Sequence, residues 1–185
     1  KVTALVVIDV QEFYFPGGAL PLEDPEAAAA NCKKLLEKFR AEKNIVVHVG
    51  HNAKTGAAFH AGVTPLDGEK VVMKDEVSAF NGTDLLEYLK AHKVESLVIC
   101  GMQTHMCVEG AVRSAHDLGF ECTVVGDACA TPRDRSARRR DRRAPDGPRP
   151  GRAHLGRQPV ARRPGPVRRC RALLQQDVRV RNVSS

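Results

Sequence analysis

Short apolar runs alternate with stretches of helical period through the first two-thirds of the chain. Residues 2–8 (Val-Thr-Ala-Leu-Val-Val-Ile) are apolar almost without interruption and rich in β-branched side chains. That predicts a strand buried on both faces. Residues 24–43 follow helical spacing, with Pro25 suited to the first turn and Leu35, Leu36 and Phe39 forming an apolar stripe. Strands are predicted over 45–49, 69–73, 96–100 and 121–125. Helices are predicted over 83–92, capped by Asn81 or Thr83, and over 107–118, closed by Gly119.

Strands alternating with helices imply βαβ units. The predicted fold is therefore α/β: a three-layer, doubly wound parallel sheet with helices on both faces. In such sheets the ligand crevice lies beyond the carboxyl ends of the strands. Asp9 ends the first apolar run, Lys74 ends the third, and the turn 101–107 follows the fourth. Three segments far apart in sequence thus deliver a carboxylate, an ammonium and a thiol to one edge.

Charge divides the chain in two. Residues 1–131 hold 10 Lys and 2 Arg against 18 acidic residues, whereas residues 132–185 hold 17 Arg and no Lys against 4 Asp. The first part predicts an ordinary acidic soluble domain, the second an Arg/Pro-rich tail. With its prolines and self-repelling charge, the tail is not expected to pack a core. Three readings of it stand: a basic arm, an ordinary disordered tail, and the Arg, Pro, Gly and Ala composition of GC-rich coding DNA read out of frame. Nucleic acid is disfavoured as a partner, since the tail has no aromatic residue for base stacking and no lysine.

No stretch approaches the roughly 18 apolar residues that span a membrane. The run after Lys1 ends at Asp9, too short for a signal peptide. The six cysteines (Cys32, Cys100, Cys107, Cys122, Cys129 and Cys170) include no Cys-x-x-Cys pair. Cys32, Cys100 and Cys122 read as small buried hydrophobes, and the expected compartment is the cytoplasm.

The chemistry centres on Cys107. A thiol at a strand-to-helix turn lies near a partial positive charge, which favours thiolate. Asp9 would accept the thiol proton and return it to a leaving amine, and Lys74 would hold the thiolate. Main-chain N–H groups at Gln103 and Cys107 would stabilise the oxyanion. Taken singly, each residue has a plainer reading: a capping Asp, a solvated Lys, a packed Cys. Their coincidence at the predicted crevice favours the chemical one. Phe13, Phe15 and Phe80 follow the Asp9 and Lys74 strands and either wall an apolar substrate pocket or pack as loop residues. His105, inside the nucleophile turn, either contacts substrate or faces solvent.

Residues 1–131 resemble the isochorismatase-like cysteine hydrolase family. The matching pieces are Val7-Ile8-Asp9-Val10-Gln11, Lys74-Asp75-Glu76-Val77-Ser78-Ala79-Phe80-Asn81-Gly82-Thr83, and Val98-Ile99-Cys100-Gly101 through Cys107-Val108. Ala115-His116-Asp117-Leu118-Gly119-Phe120 and Val125-Gly126-Asp127-Ala128-Cys129-Ala130-Thr131 continue the pattern. The resemblance implies a catalytic triad of Asp9, Lys74 and Cys107 and a cis peptide at Met102–Gln103. It implies a six-stranded sheet and assembly as a homodimer or tetramer. It also implies hydrolysis of an amide or carbamoyl-type C–N bond in a small molecule through a thioester.

Isochorismatases proper act on a vinyl ether and do not need the cysteine, so an intact Cys107 favours C–N cleavage. Nicotinamidases of the family hold a metal with an Asp and two His. Here His48, His51 and His60 occupy that region without an Asp-x-His arrangement. His48 reads as a core residue, and His51 and His60 as pocket or surface residues. No metal or organic cofactor is expected. A metal-dependent nicotinamidase and a non-catalytic binding member are the alternatives. Beyond Thr131 the family pattern stops, so no strand is expected beside the fifth.

Overall fold

The structure is a computed structural model that describes residues 1–132 and 179–183. Cys170 and most of the Arg/Pro-rich tail lie outside these residues. Six strands form one sheet: β1 (Thr3–Ile8), β2 (Ile45–His51), β3 (Lys70–Lys74), β4 (Ser96–Met102), β5 (Glu121–Ala130) and β6 (Arg179–Arg181). Their order is β3-β2-β1-β4-β5-β6 and every pairing is parallel. The chain steps outward from β1 through β2 to β3, then crosses back and steps outward the other way. The direction reverses between β1 and β4, where a doubly wound sheet opens its crevice.

Period-two alternation in β1 builds both layers. Ala4, Val6 and Ile8 face one core with Leu85 and Leu89 of α2 (Leu85–Ala91) and Ala111, Val112 and Ala115 of α3 (Glu109–Asp117). Leu5 and Val7 face the other with Ala28, Ala29, Cys32, Leu36 and Phe39 of α1 (Pro25–Ala41). A strand buried on both faces needs apolar side chains at every position, which is what residues 4–8 supply. Cys32, Cys100 and Cys122 are buried as expected.

Several boundaries differ from the sequence expectation. β2, β4 and β5 run further than their apolar cores, because main-chain pairing continues through His51, Met102 and Ala130. The β4–β5 register shifts between Ile99 and Gly101, and Gly126-Asp127 falls in the stretch of β5 that the shift skips. The N-cap of α2 is Asp84, not Asn81 or Thr83, and its side chain makes no cap hydrogen bond; Thr83 Oγ1, one residue earlier, accepts the Leu85 N–H at 3.4 Å. Gly119 does close α3, at φ 92°.

A strand beyond Pro132 was not expected. β6 nevertheless pairs with Thr123–Val125 of β5, and the Val183 N–H donates to both Asp127 carboxylate oxygens at 2.9 and 3.0 Å. An edge strand needs main-chain hydrogen bonds more than an apolar run, so Arg179 and Arg181 stay exposed in it.

Candidate active site

Asp9, Lys74 and Cys107 converge at the carboxyl ends of β1, β3 and β4. Asp9 sits just past β1 with φ 50°, and its N–H donates to Val49 O at 2.8 Å. That backbone turn directs the carboxylate across the strand end. Lys74 closes β3. Its Nζ lies 2.9 Å from Asp9 Oδ2 and 3.3 Å from Cys107 Sγ. Asp9 is 0% exposed, Lys74 1% and Cys107 7%. Neither Asp9 oxygen has a well-aligned hydrogen bond, so the Lys74 contact is an ion pair and the carboxylate keeps accepting capacity.

β4 leads into the site through Gly101 and Met102, and the Met102–Gln103 peptide is cis, as the resemblance implied. A wide π-turn (Thr104–Val108) follows and runs directly into α3. Gln103 O accepts from the N–H groups of Met106 at 3.1 Å and Val108 at 3.2 Å. Cys107 therefore lies within this turn, not at the helix start that the sequence pattern predicted.

The electrostatics also correct an expectation. The sequence position suggested a depressed thiol pKa. Instead, burial and the adjacent Asp9 charge outweigh Lys74 and push Cys107 up to about 11. Desolvation disfavours a thiolate more than the turn's partial charge favours it. Burial likewise raises the Asp9 carboxyl above its ordinary range, with Lys74 opposing. The resting pair is thus a thiol beside a carboxylate more basic than an ordinary one.

Of two further residues at the site, the sequence marks His51 only as a pocket or surface residue and does not single out Tyr14. His51 Nδ1 accepts from Lys74 Nζ at 3.1 Å. Tyr14, at the end of a 3-10 turn (Glu12–Tyr14), is 6% exposed and lies beside Gln103. Burial and the negative groups at Cys107 and Asp9 hold its phenol protonated well beyond the usual range. A short 3-10 turn has no hydrophobic period, and with His51 placed beyond its strand its contact with Lys74 carried no signal.

The predicted pocket residues do not gather. Phe13 and Phe15 are buried on the α1 face, Phe15 stacked on His60 with ring centroids 3.9 Å apart. Phe80 packs in the other layer against Phe120, 6.2 Å between centroids. These contacts are core packing, and the sheet separates Phe80 from the other two. His105 is exposed, with Nδ1 2.6 Å from Thr131 Oγ1.

The three histidines after β1 go to separate partners. His48 is fully buried with Nε2 2.7 Å from Glu69 Oε2, and His60 Nδ1 lies 3.0 Å from Glu12 Oε1. Among the described residues no three His, Cys, Asp or Glu side chains converge as a metal-binding group. No helix among them is long and apolar enough to cross a membrane.

The sequence matches the family model described as Isochorismatase domain over residues 3–141. The chain belongs to the isochorismatase family. An uncharacterized isochorismatase family protein of Bacillus subtilis, YddQ, is 44% identical over 140 residues, covering 70% of this chain and 78% of that protein. A streptothricin hydrolase of Streptomyces noursei is 34% identical over 141 residues, covering 70% of this chain and half of that protein (50%). The crystal structure of an isochorismatase from Pseudomonas putida superposes with a TM-score of 0.75 at 26% identity, covering 98% of this chain and 88% of that one. The α/β fold and the hydrolase family are thereby established for this chain. Isochorismatase-family membership also explains why the quoted motifs fall at strand ends: the fold presents its chemistry there.

Proposed function

We propose that this isochorismatase-family chain is a cysteine hydrolase that cleaves the C–N bond of a small amide or carbamoyl-type substrate. The observation that carries the reading is the Lys74 ammonium, 2.9 Å from Asp9 and 3.3 Å from Cys107 in a site closed to solvent. A buried ion pair contributes little net stability against an apolar replacement, so its presence at a strand-end crevice favours a chemical role.

The steps follow from proton and electron bookkeeping. Asp9 takes the Cys107 thiol proton as sulfur attacks the substrate carbonyl, forming a C–S bond and a tetrahedral oxyanion. The main-chain N–H groups of Gln103 and Cys107 would donate to that oxyanion. Collapse breaks the C–N bond, and the protonated Asp9 gives its proton to the departing nitrogen. A thioester remains. Water then attacks it, Asp9 accepts the water proton, and that proton returns to sulfur as the acid leaves. Lys74 neutralises whichever of Asp9 and Cys107 carries the charge. The cycle needs no metal or organic cofactor.

The test is turnover and covalent trapping together. The purified protein is assayed for ammonia release from a panel of small primary amides and N-carbamoyl compounds, and quenched samples are weighed by intact mass spectrometry. A substrate-derived acyl adduct on Cys107, absent from Cys107→Ala together with all turnover, is expected. Turnover that persists in Cys107→Ala would sink the mechanism.

A further inference from the structure

Lys74 has more acceptors than protons. Around its Nζ stand Asp9 Oδ2 at 2.9 Å, Glu76 O at 3.0 Å, His51 Nδ1 at 3.1 Å and Cys107 Sγ at 3.3 Å. An ammonium offers three N–H donors. We propose that His51 is a positioning residue: with the Glu76 carbonyl it occupies two of those donors, leaving Lys74 one N–H to divide between Asp9 and Cys107. The inference rests on the reading of Cys107 as nucleophile and Asp9 as its base.

His51 is built into this place. It is the register partner of Lys74 across β2 and β3. Gln11, itself fully buried, grips its main chain from both sides. The His51 N–H donates to Gln11 Oε1 at 2.8 Å, and Gln11 Nε2 donates to His51 O at 3.0 Å and Ala57 O at 2.7 Å. Accepting at Nδ1 requires the neutral imidazole with its proton on Nε2. The site therefore fixes a tautomer as well as a position.

The consequence is a shared proton. In the resting structure the remaining Lys74 N–H is on Cys107 Sγ at 3.3 Å, and the Asp9 carboxylate faces the same ammonium as an ion pair at 2.9 Å. When the proton moves from Sγ to Asp9, that N–H is already in place on the thiolate, and no proton enters from solvent. A state with both groups anionic has only one donor for two charges and is disfavoured. The raised Cys107 thiol and raised Asp9 carboxyl agree with this count. The groups that face the thiol are Asp9 from the end of β1, Lys74 from β3 and Tyr14 from the 3-10 turn. His51 on β2 acts through Lys74.

The experiment compares His51→Leu and His51→Gln with the wild type in the full chain. It reads two quantities: the pH midpoint of Cys107 alkylation by iodoacetamide, measured without substrate, and kcat/KM. Leucine frees a second N–H, so both anions are stabilised at once. The alkylation midpoint then falls by roughly one pH unit, while turnover drops about tenfold or more because Asp9 no longer retains the proton it must donate. Glutamine restores an acceptor and returns both quantities toward wild type. General loosening of the fold would also lower the midpoint, by relieving burial, but would do so in His51→Gln as much as in His51→Leu, whereas a restored acceptor returns it.

A midpoint unmoved in His51→Leu, or shifted as far in His51→Gln, overturns the proposal. If His51→Leu does not fold, His51→Met must show the same fall. A fall in midpoint without turnover on any substrate defeats the hydrolase reading alone. An unmoved midpoint with normal Cys107-dependent turnover defeats this inference alone.

Discussion

Lys74 Nζ and Asp9 Oδ2 form a 2.9 Å ion pair in which neither side chain has solvent-exposed surface. Removing one partner leaves the other charge stranded, which typically costs about 3–5 kcal/mol. Lys74→Met is therefore expected to lose roughly that much in urea denaturation near neutral pH. The loss shrinks as pH falls, because protonating Asp9 removes the stranded charge. The double variant Asp9→Asn, Lys74→Met recovers more than half of it. A loss below about 1 kcal/mol for the single variant would contradict the buried pair.

Cys107 should behave as a protected thiol in the resting protein. Its pKa is pushed up to about 11 from an ordinary 9.0 by burial and by Asp9. A raised folded value contributes stability that is present below the unfolded value and fades as pH rises through the folded one. Two consequences can be measured. Iodoacetamide labelling of the folded protein stays slow at pH 6–8 and rises only in strongly alkaline buffer. Cys107→Ser, with its higher hydroxyl pKa, flattens the alkaline decline in stability between roughly pH 9 and 11. Rapid labelling at pH 6 would restore the depressed thiol that the sequence position suggested.

Acid sensitivity should arise away from the site, at Glu69. Burial alone would raise its carboxyl. The Arg40 guanidinium at 2.6 and 2.9 Å, the Leu66 N–H and His48 outweigh that and hold it at about 2. His48 is also pushed down, below its ordinary 6.5, chiefly by burial against the pull of Glu69. Both depressed values stabilise the fold above the unfolded pKa and lose that contribution as pH falls. His48 weakens first, below about pH 6.5, and Glu69 follows between 4.5 and about 2. Glu69→Gln should cost about 2 kcal/mol at pH 7, allowing for partial solvent screening. The difference from wild type should close toward pH 2 in a series of thermal melts.

The order of strands and helices was legible because each strand core is an apolar run and each helix shows a stripe. The convergence of Asp9, Lys74 and the 101–107 turn was legible for the same reason: each follows such a run. His51 was not, because its place depends on which residue of β3 lies beside it. The apolar pattern limits register between strands to two-residue steps at best, so it does not single out Lys74 as the neighbour of His51. Tyr14 was hidden by a three-residue turn too short for periodicity. The sign of the Cys107 shift was misread because a turn's partial charge can be inferred from sequence, whereas 7% exposure beside Asp9 cannot. β6 was missed because its Arg-Val-Arg run looks like the tail around it.

Gly101 sets how closely β4 can approach β1 next to the site, and its replacement should be disproportionately damaging. It is the register partner of Ile8, the residue before Asp9, and precedes the Met102–Gln103 peptide by one position. Its φ is 125°, and a Cβ there would stand 1.9 Å from Ile8 O. No side-chain rotation relieves that clash, since the obstacle is main chain. The strands would have to separate where Asp9 and the nucleophile turn are positioned. Gly119 provides the control: its φ is 92°, but nothing lies within 4 Å of its added Cβ. Gly119→Ala carries the conformational penalty alone, about 1 kcal/mol. Gly101→Ala adds displacement of β1 and should exceed about 4 kcal/mol. Chemical denaturation of the two variants checks the difference, and comparable losses would mean that β1 and β4 do not approach as closely as Gly101 requires.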